Sequence, residues 1–337
     1  MSRHVSAGRL VLVLLLSTLA WAIVAVACLA VDSTGNLAWP AGLALQFQAE
    51  RVLLASLVGG ALASAGVAYQ AVLRNPLAEP YLLGAATGAA FAAYLWRLPA
   101  VGVWLVGLGG VAASLSQQAF AFLGAVLAIG VVLGLAGARR LEPVAMILIG
   151  VIVNATLAAG FLLVNALVRD LPGTGGIEAI LIGDLQTNLL PSQAYTAAAV
   201  VAAGWGVLLW LSGAMNIARL SEAEAQSLGL RIVRLRWGVM LAASLVTAAA
   251  VAVSGPIGFV GLICPHLVRL VVGQDNRLLL PAATAAGAVL LCLADAARTF
   301  AAAPGLLGTV VPIGVVTALL GGPFFLLLFA RTQRHGG

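Results

Sequence analysis

Residues 254–281 read SGPIGFVGLICPHLVRLVVGQDNRLLLP. The stretch is apolar enough for a membrane interior, yet Gly255-Pro256, Gly258, Gly261, Pro265, His266 and Arg269 interrupt it. Ser254-Gly255-Pro256 ends one helix, because proline cannot continue it and disfavours the α conformation in the residue before. From Gly258 to the polar GQDNR turn only about 15 residues remain. At about 1.5 Å per residue they reach about 22 Å, short of the roughly 30 Å of hydrocarbon in a bilayer. The expectation is a short inward helix over 258–272, kinked near Pro265-His266, with a cytoplasmic turn at GQDNR. Arg269 then snorkels to the inner face. No second ligand accompanies His266, which favours a packing or hydrogen-bonding residue over a metal ligand.

The rest of the chain fits that setting. Of 337 residues, 62% are hydrophobic and 8% charged, and the mean hydropathy is +1.11. Soluble domains carry about 25% charge, so this is an integral membrane protein. Its charge-free runs are too long and too uniformly apolar for barrel strands, which alternate. The fold class is therefore an all-α, polytopic bundle. Helices are expected near 10–31, 51–73, 82–96, 117–138, 143–167, 192–213, 235–254, 258–272, 278–296 and 311–330, ten in all. SLSQQ (114–118) is read as a break, with 100–114 peripheral or partly inserted. The first apolar run exceeds a signal-peptide core of about 7–15 residues, so it is read as a retained helix.

All 17 basic side chains other than histidine are arginines. With ten segments and both termini cytoplasmic, 13 fall inside and four outside: Arg51, Arg97, Arg169 and Arg298. That obeys the positive-inside rule and removes any need for a nucleic-acid partner. Cys28, Cys264 and Cys292 lie in apolar runs without ligand spacing and read as packing residues. Small residues crowd VGGALASAG (58–66) and GAATGAA (84–90), which fits close helix packing within the chain better than a path at a dimer axis.

One segment is polar enough to leave the bilayer: MNIARLSEAEAQSLGL (215–230). Ser221 and Glu224 have capping-box spacing, and Gly229 sits where a helix C-cap wants positive φ. A short surface helix at 222–228 follows, either a plain connector or a docking element. Lysine is absent, so no GxxxxGK[ST] phosphate loop exists and the chain is not itself a P-loop ATPase. No metal-ligand set and no nucleophile–base motif is present. Asp295 and Arg298, three apart, share a helix face and are expected to pair at the outer rim. No other acid lies deep in a charge-free run, which counts against a proton-driven carrier.

Four stretches together resemble the permease subunits of ABC importers for iron-siderophore complexes, haem and cobalamin (type II importers). These are RVLLASLVGGALASAGVAYQAVLRNPLAEPYLLGAATGAA (51–90), the 215–230 segment, GPIGFVGLICPHLVRLVVGQDNRLLLP (255–281), and ADAARTF through VVPIGVVTALLGGPFFLLL (294–328). The resemblance implies a single transmembrane permease domain over 1–337 in the bacterial cytoplasmic (inner) membrane. It implies two cytoplasmic ATPase subunits that hold ATP and magnesium, no cofactor in this chain, a second permease copy or homologue, and a periplasmic or lipid-anchored binding protein. It assigns ATPase coupling to Arg219, Leu220, Ser221, Glu222, Ala225, Leu228 and Gly229. It places a cytoplasmic-side motif at Asn75, Pro76, Pro265, His266 and Arg269, the last three within the short broken helix and turn of 255–277. Binding-protein docking falls to Arg51 and Arg298.

Departures from the family pattern sit on the substrate side. Gln48 and Glu50 replace an arginine and a proline, an acidic residue is missing at Val310, and LIGDLQTN (181–188) lacks the usual tryptophan. These leave the chelate, and the strength of docking, open. Two rival readings stay in play: an ion-gradient-driven secondary transporter, and a non-transporting membrane scaffold.

Overall fold

A computed structural model describes residues 7–31, 39–98, 110–137, 143–168, 183–185, 191–220, 222–302 and 311–334. The described elements are all helices of one bundle. In chain order they are α1 (Ala7–Leu29), α2 (Leu43–Leu73), α3 (Ala85–Arg97), α4 (Gly110–Gly137), α5 (Pro143–Val168), α6 (Pro191–Ile217), α7 (Glu222–Ser227), α8 (Ile232–Ser254), α9 (Val260–Val272), α10 (Asn276–Ala301) and α11 (Ile313–Arg334). Each of the ten expected segments is helical, and α7 matches the expected surface helix. Seven helices (α1, α2, α4, α5, α6, α8 and α10) contain stretches long and apolar enough to cross a membrane. At 13 residues each, α3 and α9 reach only about 20 Å.

Two boundaries differ from expectation. Helix α2 begins at Leu43, eight residues before Arg51, and α4 runs unbroken through SLSQQ. In α4 the polar run is accommodated by burial inside the bundle, where Ser114 and Gln117 find side-chain and backbone partners. Ser114, Gln117 and Gln118 are buried. Gln117 Nε2 donates to the Ala252 carbonyl at 3.2 Å, and Gln193 Nε2 donates to Gln117 Oε1 at 3.3 Å. Residues 99–109, most of the segment expected to be peripheral, lie outside the described residues.

Helix α2 is the axis of the core, buried almost continuously from Leu54 to Val72. Glycines permit its contacts. A Cβ at Gly59 would lie 2.1 Å from the Gly287 carbonyl oxygen of α10, and one at Gly66 would lie 2.0 Å from that of Gly261 in α9. Gly88 of α3 meets Gly124 of α4 in the same way, at 2.5 Å. The small-residue runs therefore pack helices within the chain, backbone against backbone. Helices α1 and α5 turn leucines and valines outward, which carries no penalty where the solvent is lipid.

Helix α8 ends at Ser254, as expected. Gly255 then adopts φ 68°, ψ −178°, a region open essentially only to glycine. Residues 255–259 redirect the chain into α9. Cys28, Cys264 and Cys292 are free and buried.

Candidate functional site at the arginine-rich end

Pro265 lies inside α9 and has no amide to offer the Gly261 carbonyl, its partner four residues earlier. Gln70 of α2 supplies the missing donor: its Nε2 donates to that carbonyl at 3.1 Å. Gln70 Oε1 in turn accepts from Arg269 Nη2 at 2.7 Å. One buried amide thus closes the proline gap and holds the half-helix to the core helix, so α9 runs through Pro265 as a single element. Arg269 is only partly exposed, because it is tied to Gln70. His266 stands edge-on to Phe324 of α11, with ring centroids 5.6 Å apart.

Helix α2 ends at Arg74, which takes the left-handed conformation (φ 49°) and donates its amide to the Gln70 carbonyl. Asn75 then forms an Asx turn, its Oδ1 accepting from the Leu77 amide at 2.9 Å, and Pro76 stiffens it. Arg74 Nε reaches the Ala218 carbonyl at 2.8 Å. This joins the Asn75-Pro76 turn to the 215–230 segment.

That segment is clamped to the α9–α10 turn. Asn216 Nδ2 donates to Asp275 Oδ1 at 2.7 Å, and Asn216 Oδ1 accepts from the Asn276 amide at 2.8 Å. Arg219 Nη1 donates to the Gln274 carbonyl at 2.6 Å, and Nη2 meets Gln274 Oε1. Asp275 also caps α10, accepting from the Arg277 amide, the usual work of an N-cap carboxylate. Beyond Arg219, α7 ends in a Schellman motif: Gly229 has φ 78°, its amide bonds the Gln226 carbonyl, and the Leu230 amide bonds that of Ala225. Ala225 is buried, while Leu220 and Leu228 point outward, 42% and 62% exposed. Ser221 and the Glu222 side chain lie outside the described residues, and the expected capping box goes with them.

The opposite end carries a charge cluster. Arg298 Nε donates to Asp295 Oδ1 at 2.8 Å, so the expected pair forms. Arg51 joins it from α2: Nη2 donates to Asp295 Oδ1 at 3.1 Å and to Thr299 Oγ1 at 2.5 Å, while Nε lies 2.8 Å from Asp295 Oδ2 as an ion-pair contact. Arg298 also pairs with Asp184. It is buried behind Arg51, which keeps 18% of its side chain exposed. Gln48 is buried and Glu50 exposed. Val310 lies outside the described residues.

Two residues escape the sequence reading. Asn216 is one, a lone polar residue at the end of an apolar run. Glu79 is the other. It follows the Asn75-Pro76 turn in the connection to α3, and this connection folds beneath the start of α9 and leaves Glu79 1% exposed. The Phe259 amide donates to Glu79 Oε1 at 3.4 Å, where a helix start favours negative charge. Burial pushes the Glu79 carboxyl up to about 7, against the lowering effect of hydrogen bonds from the Phe259 and Leu262 amides. Glu79 lies between charge-free runs rather than deep in one, and it is buried because its connecting turn folds inward.

Comparison with known proteins places this arrangement. The FecCD transport family matches residues 8–331. The cobalamin import system permease of Halobacterium salinarum is 38% identical over 283 residues, covering 82% of this chain and 70% of that protein. The hemin transport system permease of Yersinia pestis is 33% identical over 308 residues (87% and 85%). The Fe(3+)-citrate import system permease of Bacillus subtilis is 34% identical over 292 residues (85% and 80%). A solved structure of a metal-chelate type ABC transporter in an inward-facing conformation superposes with a TM-score of 0.75 at 29% identity. It covers 95% of this chain and 99% of that one.

Proposed function

The chain belongs to the FecCD transport family, and from that premise we propose that it is the permease of an ATP-driven importer that moves a metal chelate inward by alternating access. It is a multi-pass membrane protein and a permease subunit of a metal-chelate type ABC transporter. The proposal adds import direction, cargo drawn from haem, ferric siderophores or cobalamin, and the bacterial inner membrane. The observation that carries it is the family match along residues 8–331. Relatives named for cobalamin, hemin and ferric citrate support the cargo class.

In this reading the arginine-rich end and both termini face the cytoplasm. Two ATPase subunits, which bind ATP and magnesium, seat there on the 215–230 segment. The exposed Leu220 and Leu228 are their apolar contacts, with Arg219, Ser221, Glu222, Ala225 and Gly229 shaping the element. Movement imposed on α7 passes through Asn216 and Arg219 to the start of α10, and through Arg74 to α2. Asn75, Pro76, Pro265, His266 and Arg269 form the surface that this movement rearranges. A second permease copy or homologue completes the path. At the other end, Arg51 meets acidic groups of a periplasmic or lipid-anchored binding protein, and Arg298 holds it in place. Such rim charges set association rate and register more than affinity.

Buried Glu79 is one observation on the side of a proton-coupled rival. Its carboxyl is spent on the start of α9, which gives it a structural task. The absorbance spectrum of the ligand-loaded cognate binding protein tests the cargo. A haem, corrinoid or ferric-siderophore spectrum is expected; a ligand with no metal chelate contradicts the proposal.

A further inference from the structure

Between the Asn75-Pro76 turn, the 215–220 segment, α9 and the start of α10 lies a cavity of about 330 Å³. Arg74, Arg219 and Arg269 line it, together with Gln70, Gln274 and Asn276. The three arginines come from three different elements. Their hydrogen bonds go to neutral acceptors: the Ala218 carbonyl, the backbone and side chain of Gln274, and Gln70 Oε1. Among the described residues no carboxylate forms an ion pair with any of them. The adjacent Asp275 is outside the wall, occupied with capping α10 and with Asn216.

Asn276 supplies a second, independent observation. It is 2% exposed, and its Nδ2 has no hydrogen-bond partner. A buried donor left unpaired has given up its bonds to water without replacement, which is unfavourable. Here that donor borders a cavity with three guanidiniums in its wall, at the end of the bundle where arginines concentrate. The missing partner is an acceptor, and the three guanidiniums make the wall positive.

We propose that this cavity is an anion site for a phosphate group, held by Arg74, Arg219 and Arg269 with Asn276 as the neutral donor. Arginine forks match phosphate oxygens in pairs, and a phosphate carries enough acceptors to engage several of these donors at once. The group is either the headgroup of an anionic phospholipid, reachable at a membrane surface, or a small diffusible phosphate. Occupancy would pin the 215–220 segment to α2, α9 and α10 together. The inference asks only for the described geometry and holds whether or not the chain imports a chelate.

The test uses the full chain in phosphatidylcholine nanodiscs, with thermal unfolding as readout. Inorganic phosphate is titrated against chloride at equal ionic strength; a parallel sample replaces one part of the lipid with phosphatidylglycerol. A saturable rise in midpoint over the chloride control is expected in at least one arm. The phosphate arm alone identifies a diffusible ion, and the phosphatidylglycerol arm a lipid headgroup. Arg219→Gln is expected to weaken the apparent affinity at least tenfold. Asn276→Asp, nearly isosteric and placed in the first turn of a helix, puts a carboxylate into the cavity. It is expected to raise the midpoint without any anion and to abolish the response. Midpoints that follow the chloride control in both arms, or an Asn276→Asp protein that responds like the parent, overturn the proposal.

Discussion

Pro265 removes one amide from α9, and Gln70 of α2 returns one at 3.1 Å. A sequence shows the proline but not its remedy, because the remedy lies 195 positions away in another helix. Asp295 and Arg298 were legible for the opposite reason: three residues apart on one helix, they have little choice but to meet. Arg51 and Asp184 were not legible as their partners, since nothing local links them. The Gln70 assignment has a direct consequence. Gln70→Leu leaves the Gly261 carbonyl buried without a donor and is expected to destabilise the chain by about 1–3 kcal/mol, measured by denaturant unfolding of the purified protein in detergent. Pro265→Ala restores the amide to α9, so the double variant is expected to recover at least half of the loss. A silent Gln70→Leu, or a double variant no better than the single, refutes the assignment.

At the scale of elements, the half-helix was readable because length is arithmetic: 13 residues in α9 do not cross a bilayer. The starts of α2 and α4 were misplaced because charge and polarity stood in for exposure, and Gln48, Ser114, Gln117 and Gln118 are buried inside the bundle. Helix α7 was readable from Gly229, whose positive φ the Schellman motif requires. The form of α7 now gives a sharp prediction. Leu228 is 62% exposed, so Leu228→Arg is expected to change stability by no more than about 0.5 kcal/mol, as surface substitutions usually do. The same substitution places a charge in the proposed apolar contact. It is expected to weaken capture of the ATPase subunits at least tenfold, measured by co-purification at matched expression. Undiminished capture removes Leu228 from the interface.

Across the whole molecule, the small-residue runs marked where helices pack against one another. Gly59 and Gly66 of one run meet Gly287 of α10 and Gly261 of α9, and Gly88 of the other meets Gly124 of α4. The burial of Glu79 was not legible, because it depends on a connecting turn folding back beneath α9. Neither composition nor spacing distinguishes an ATP-driven permease from a gradient-driven one; the family match does. The most direct measurement of that distinction is uptake by vesicles. They hold the chain with its ATPase subunits, and the cognate binding protein delivers the chelate. Accumulation is expected to require both the ATPase and ATP, and to persist when ionophores collapse the proton and sodium gradients. Accumulation that proceeds without the ATPase and vanishes with the gradients contradicts the account.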